Sequence, residues 1–496
     1  MNKNLNISIA IIGFIIILLY SNIMNLGSSA NMLAIVFLMV YLWMTEAIPL
    51  AITALIPIVL FPLLGIAKGQ ATASEYFNST ILIFLGGFLL SLTMEKWNLH
   101  KRIALSILKI VGTSPARILL GFMLATAFLS SVLSNVATTT MMFPIALAIT
   151  SELLSNNQSA GSKNFAKGVM LGVAYASSIG GISTLIGTAP NLAFQGIFTQ
   201  NFPDAPSITF SNWLVIGVPI AATMLIITWF VLSKTIFKFP KQLEISDDTI
   251  QNELNKLGKM KYEEIIVAIA ITTASMLWLF RSDIVFGDLI IHGWSGLFAF
   301  PKFIDDSTVA ILIASILFII PAKNRLHKIA DIQLFTKVPW DIIILFGGGF
   351  ALAMGFEESG LSKSIGNLFS QVNFNNPFIL IIGVCLAVTF LTEMTSNTAT
   401  TYTLLPILAS ISVGMAINPI ILMLPATISA SFAFMLPVAT PPNAIVFSSG
   451  YINIKDMMKA GLILNIIGTV LITLILIFIS FPILGIDIYS SPSWLK

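Results

Sequence analysis

The chain has 496 residues, of which 56% are hydrophobic and 9% charged, where soluble domains carry about 25% charged residues. A net charge of +3 without a basic block excludes a nucleic-acid footprint. One cysteine (Cys385) and three histidines (His100, His292, His327) exclude a disulfide framework or a Cys/His metal centre.

What remains is a polytopic membrane protein. Its apolar runs are continuous and helix-length rather than alternating, which predicts an all-α chain and not a barrel. The first segment, 1–31, reads as an N-terminal transmembrane helix, a signal anchor that is retained because many hydrophobic stretches follow it. Full spans are expected near 7–23, 32–45, 47–66, 80–95, 208–235, 264–280, 307–321, 341–357 and 457–484. In 115–155 and 375–415 a polar cluster interrupts the apolar stretch, Ser-Asn-Val-Ala-Thr-Thr-Thr in one and Thr-Ser-Asn-Thr-Ala-Thr-Thr in the other. Each predicts a re-entrant hairpin whose tip is buried in protein, where irregular backbone is tolerated at membrane depth. In 168–195 and 417–448 the breaks Gly187-Thr188-Ala189-Pro190-Asn191 and Ala439-Thr440-Pro441-Pro442-Asn443 predict discontinuous helices. The charged stretch 236–263 reads as a cytoplasmic connector with a short amphipathic helix, and 486–496 as an extracytoplasmic tail.

This layout, about eleven crossings plus two hairpins, is tested by its charges. With the N-terminus cytoplasmic, every Lys and Arg except Lys68, Arg281, Lys302, Lys363 and Lys496 falls on the inner side, Lys241 and Arg325 among them. The C-terminus is then extracytoplasmic, and the span composition fits a bacterial inner membrane.

The chain also repeats itself. Gly86-Gly87-Phe88 matches Gly348-Gly349-Phe350, Glu95 matches Glu357, Leu99 matches Leu361, Ser134-Asn135 matches Ser396-Asn397 and Pro144 matches Pro406, all 262 positions apart. The broken-helix motif recurs at an offset of 252, Asn191 against Asn443. Copies at 32–235 and 264–485 with an odd number of crossings each are inverted relative to one another. Inverted repeats with paired broken helices are the pattern of a secondary transporter with its site at the membrane midplane.

Two Ser-Asn tips and two Gly/Pro breaks related by this symmetry should converge. Tip hydroxyls, amide oxygens and helix-end carbonyls suit a hard cation such as Na⁺, and half-helix N-termini suit an anion. Neither tip carries Lys or Arg, and the nearest acid is Glu393. An anion there needs bound cations to offset its desolvation. Glu393 reads equally as a partner for freed backbone N–H groups and as a proton or cation group. Glu46, Glu95 and Glu357 read as interfacial or capping residues, the eight Trp as interface anchors, and Met141-Met142 as packing.

These motifs resemble the divalent anion/Na⁺ symporter family of dicarboxylate, citrate and sulfate carriers. The resemblance covers nearly the whole chain, including Thr45-Glu46-Ala47-Ile48-Pro49-Leu50, Phe84-Leu85-Gly86-Gly87-Phe88 and Met94-Glu95-Lys96-Trp97. Its most specific part is the segment from Ser429 to Ala444, which looks like the family signature. The resemblance implies a homodimer that moves its substrate by an elevator motion. It implies one Na⁺ site at Ser130, Ser134, Asn135 and Gly187 and another at Thr392, Thr395, Asn397 and Ala439. Substrate carboxylates would meet Asn135, Thr188, Asn397, Thr398, Thr440 and Pro441. The family's Ser-Asn-Thr is intact at Ser396-Asn397-Thr398, but the first tip reads Ser134-Asn135-Val136, and valine has no hydroxyl to offer a carboxylate. Val136 therefore bears on substrate choice. The expectation is Na⁺-coupled symport of a C4 dicarboxylate (succinate, fumarate, malate). Citrate or sulfate, and H⁺ coupling or exchange, are the alternatives within carriers. A passive anion channel is the rival from another class. The absence of His-Glu-x-x-His, Gly-x-Ser-x-Gly or a paired Asp motif argues against an intramembrane enzyme.

Overall fold

The computed structural model describes residues 3–112, 114–156, 159–240, 247–286, 289–323, 326–370 and 376–495. Lys241, Arg325 and Lys496, connector positions 241–246 and hairpin position 375 lie outside them. Among the described residues nine helices are long and apolar enough to cross a membrane, and shorter apolar helices complete the bundle. The N-terminal helix, Lys3–Ile23, packs on Ser28–Thr45 and leaves Ile12, Ile16 and Leu19 exposed, as a lipid-facing helix does.

The repeat in the sequence is a repeat of elements. Gly69–Ser74, Ser79–Lys96, Leu99–Val111, Pro115–Ser130 and Asn135–Asn156 recur as Ile332–Thr336, Trp340–Glu358, Leu361–Phe369, Pro377–Thr392 and Asn397–Gly414. The broken helices are Ala160–Ile182 with Ala189–Asn201, and Ile420–Ala430 with Pro441–Phe447. Each copy closes on a long helix that ends in a π turn, Val231–Ile236 after Phe210–Phe230 and Leu476–Ser480 after Ile454–Ile475.

The copies interlock, and the repeated Gly-Gly-Phe explains how. A Cβ on Gly86 would lie 2.6 Å from the Cβ of Ala310 in the second copy, and one on Gly348 would lie 2.5 Å from the Cβ of Ala54 in the first. Small residues let backbones approach closely where lipid supplies no hydrophobic drive for association. Phe84 and Phe346, equivalent positions, meet across the pseudo-axis with ring centroids 3.9 Å apart. The second halves of the broken helices are exchanged too: Ala189–Asn201 packs on the second hairpin, and Pro441–Phe447 on the first.

Local departures from the sequence reading have plain causes. The span at 47–66 is two helices, Leu50–Ala54 and Ile56–Leu63, with Pro57 in the first turn of the second lacking the N–H to continue the ladder. Leu99–Val111 and Leu361–Phe369 are amphipathic helices too short and polar at one face to register as spans. Ile284–Phe286 and Leu289–Ile291 pair antiparallel in a loop that the hydropathy pattern left unassigned. Trp43 and Trp213 are fully buried rather than interfacial: their indole N–H groups donate to the carbonyls of Leu50 (3.1 Å) and Ile182 (2.9 Å).

Candidate functional site

Both hairpin tips are built alike. Ser130 Oγ lies 2.8 Å from Asn135 Oδ1 and 2.7 Å from the Ser177 carbonyl. Thr392 Oγ1 lies 2.8 Å from Asn397 Oδ1 and 2.9 Å from the Ala430 carbonyl. A hydroxyl donates one proton, so in each tip it serves one of these two acceptors at a time while sitting between the asparagine and the facing broken helix. Asn135 and Asn397 each open a helix of their hairpin.

The breaks are clasped by matching asparagines. Asn191 Nδ2 donates to the carbonyls of Gly181 (3.1 Å) and Thr184 (2.7 Å), and Asn443 Nδ2 to those of Ala433 (2.9 Å) and Leu436 (3.0 Å). This holds two carbonyls of each unwound segment that no longer have helical donors. Proline follows at once in both copies, Pro190 in one and Pro441-Pro442 in the other, fixing the start of the second half-helix.

The tips and breaks converge on a cavity of about 660 Å³. Every residue expected to meet substrate lines it: Asn135, Val136, Thr188, Asn397, Thr398, Thr440 and Pro441. Of those implied for the cations, Ser134, Asn135, Gly187, Asn397 and Ala439 line it, while Ser130 and Thr392 are fully buried directly behind their asparagines. Thr395 is placed one turn beyond Leu391. It does not line the cavity, and its hydroxyl lies 3.0 Å from the Leu391 carbonyl and 2.5 Å from Thr400 Oγ1. Val136 is 42% exposed, with its methyls where a tip threonine would place a hydroxyl.

Four helices start at this cavity, at Asn135, Ala189, Asn397 and Pro441. Their positive ends favour an anion. Among the described residues no Lys, Arg or His lines the cavity, and two carboxylates, Glu46 and Asp341, do. Glu46 caps the C-terminal end of the helix Ser28–Thr45 in the left-handed region, at φ 45°, and lines the cavity from that position. The chemistry offered is oxygen donors for hard cations beside helix dipoles for an anion.

Glu393 was legible as an acid near the second tip, but not its setting. It is buried, and Oε1 accepts from the N–H groups of Phe434 (2.7 Å) and Met435 (2.8 Å) and from Asn465 Nδ2 (2.7 Å), while Oε2 accepts from Leu436 N–H at 3.2 Å. It gathers the freed amides of the second break, the structural role that sequence left open. The lining residues Phe84, Phe88 and Asp341 gave no sequence signal as site residues. Phe84 and Phe88 lie beside the first tip within their own copy, where Ser91 Oγ donates to the Val132 carbonyl at 2.7 Å.

Residues 1–486 match the family model for the sodium:sulfate symporter transmembrane region. The chain is 43% identical over 453 residues to the sodium-dependent dicarboxylate transporter SdcS of Staphylococcus aureus strain MRSA252, covering 90% of this chain and 85% of that one. The version from the bovine strain RF122 / ET3-1 is 42% identical over the same length. Among solved structures, MtrF of Neisseria gonorrhoeae superposes with a TM-score of 0.56 at 14% identity, over 83% of this chain and 84% of that one. The Alcanivorax borkumensis YdaH transporter does so with a TM-score of 0.52 at 12% identity, over 82% and 86%. At such identity these two speak for the fold alone, an all-α membrane transporter fold. The match to the family model spans nearly the whole chain, and the chain belongs to the sodium:sulfate symporter family of membrane transporters.

Proposed function

We propose that this chain is a Na⁺-coupled carrier of dicarboxylates, and more narrowly a symporter of C4 dicarboxylates such as succinate, fumarate and malate. The observation that carries this is the cavity itself: four helix starts and two oxygen-rich tips meet where, among the described residues, no basic side chain is present to neutralise an anion. A dianion entering such a site brings a desolvation cost on the order of several kcal/mol per charge, and bound Na⁺ offsets it. The name of the Staphylococcus aureus relative, a sodium-dependent dicarboxylate transporter, supports the same reading.

One cation is held by Ser130, Ser134, Asn135 and Gly187, and the other by Thr392, Asn397 and Ala439. Thr395 acts there through its backbone carbonyl. Substrate carboxylates meet Asn135, Thr188, Asn397, Thr398, Thr440 and Pro441, with Val136 shaping one end. The inverted copies span 32–235 and 264–485 in a bacterial inner membrane, N-terminus inside. In that orientation the cytoplasmic ends of two helices, near Glu46–Ala51 and Asp341–Leu345, line the cavity, which supports reading the structure as an inward-facing state. The hairpins and broken helices then move against the interlocked helices as an elevator, in a homodimer.

Labelled succinate uptake into proteoliposomes under inward gradients of Na⁺, choline or protons, with malate, citrate and sulfate as competitors, tests this. Accumulation with Na⁺ alone, blocked by malate, is the expected result. Uptake indifferent to Na⁺ contradicts the coupling, and entry of citrate or sulfate in place of succinate contradicts the substrate.

A further inference from the structure

Behind the second break, away from the cavity, three helices enclose a seam of polar side chains. On Pro377–Thr392 and the turn after it stand Cys385, Thr389 and Glu393, one helical turn apart. On Ile454–Ile475 stand Asn465, Thr469 and Thr473, again one turn apart. The two stripes run antiparallel. Glu393 Oε1 meets Asn465 Nδ2 at 2.7 Å, and Ser429 on the third helix, Ile420–Ala430, adds a buried hydroxyl without a partner among the described residues.

Thr389 and Thr469 occupy the rung next to the contact of Glu393 with Asn465. Both are essentially inaccessible, at 0% and 1% exposure, and neither hydroxyl has a hydrogen-bond partner among the described residues. The Oδ1 of Asn465 is likewise buried and unpartnered. Helical threonines usually donate to the carbonyl one turn back, as Thr473 does to Thr469 at 2.9 Å. Thr389 and Thr469 forgo that bond. Glu393 Oε2 is also underused: it accepts one N–H at 3.2 Å, while Oε1 accepts three donors. Unsatisfied buried oxygens cost about 1–3 kcal/mol each, so this concentration of them calls for a bound species.

We infer that Glu393 Oε2, Asn465 Oδ1 and the hydroxyls of Thr389 and Thr469 form a further site for a hard monovalent cation of the Na⁺ class, separate from the two at the hairpin tips. All donors are oxygens and one is a carboxylate, the set such an ion takes. A neutral water satisfies the hydroxyls but leaves the buried carboxylate without a counter-charge. In the first copy the position equivalent to Glu393 is Ser131, so the repeat supplies no twin of this site. The inference rests on the Na⁺-coupled reading above.

Counting ²²Na⁺ bound per protomer at saturation with succinate tests it in the unaltered protein. An ion beyond the two tip sites is expected. In the double substitution Thr389→Val with Thr469→Val that ion is lost, the Hill coefficient for Na⁺ falls and the charge moved per succinate, read from the reversal potential, decreases. The serine pair Thr389→Ser with Thr469→Ser restores all three. Two bound ions in the wild-type protein, or an unchanged reversal potential in a folded valine variant, overturns the inference. Wild-type protein that binds no Na⁺ at all refutes the coupling reading instead.

Discussion

The two breaks do the same work with different chemistry. In the first, the unwound segment is held by neutral groups: Thr184 Oγ1 donates to the Ser131 carbonyl at 2.5 Å and Trp213 Nε1 to the Ile182 carbonyl at 2.9 Å. In the second, a carboxylate collects amides, with Glu393 and Asn465 standing where the first copy has Ser131 and Trp213. Glycines differ in the same sense. A Cβ on Gly181 would lie 2.4 Å from Asn135 Oδ1 and one on Gly187 would lie 2.5 Å from the Gly181 carbonyl, whereas the second copy carries Ala433 and Ala439 at these places. The first break is tight and apolar-backed, the second wider and held by charge. Pseudo-symmetry fixes where the tips meet, and each half satisfies its own freed backbone by a different route.

The comparison can be broken most severely at the shared element. Asn135→Ala and Asn397→Ala should each lower Na⁺-driven uptake by about two orders of magnitude. Loss from one substitution and not the other would end the equivalence of the tips. Next in size, Glu393→Gln leaves amides badly paired and should cost about 2–3 kcal/mol of stability. Ser131→Ala should cost less than about 1 kcal/mol, and thermal unfolding in detergent reads both. Gly187→Ala should then raise the Na⁺ concentration for half-maximal uptake several-fold, because backbone atoms must shift by a strain of about 1–3 kcal/mol. Ala439→Gly should leave it nearly unchanged. Val136→Thr should alter the competition among succinate, malate and fumarate by a few-fold without changing the Na⁺ dependence, a difference on the order of 1 kcal/mol.

The smallest effect lies where the copies differ in the short helix before each Gly-Gly-Phe span. The helix Ile332–Thr336 begins at Asp331, where its twin Gly69–Ser74 begins at Lys68. Asp331 pairs with Lys96 at 2.7 Å, and the hydrogen bond from that lysine holds its pKa below the usual 3.8. The pair's stabilisation is present above pH 3.8 and is lost as pH falls through the depressed value. For a partly exposed pair that is less than about 1 kcal/mol. Asp331→Asn should flatten the acid limb of a thermal-stability profile by that small amount, and an unaltered profile would remove the pair from the account.

Much of this was legible in the sequence because membrane burial writes it there. Apolar length marked the spans, and the polar Ser-Asn clusters inside apolar runs marked irregular backbone that only a protein interior tolerates. The constant 262-residue offset announced two copies of one site. Less visible was anything that depended on one copy meeting the other. Phe84 meets Phe346, Gly86 packs on Ala310 and Gly348 on Ala54, contacts between segments far apart in the chain. The Thr395 letter gave no sign that its hydroxyl pairs with that of Thr400. The fourfold embrace of Glu393 required the unwound path of residues 434–436, which no periodicity describes.

The central claim is that cation and anion share one cavity and that neither is held well alone. Labelled succinate binding to the purified protein, titrated with Na⁺ or with choline at constant ionic strength, tests it most directly. The account predicts that Na⁺ tightens succinate binding by more than about tenfold, and that succinate tightens Na⁺ binding by the same factor. An equal Kd for succinate in Na⁺ and in choline would contradict it.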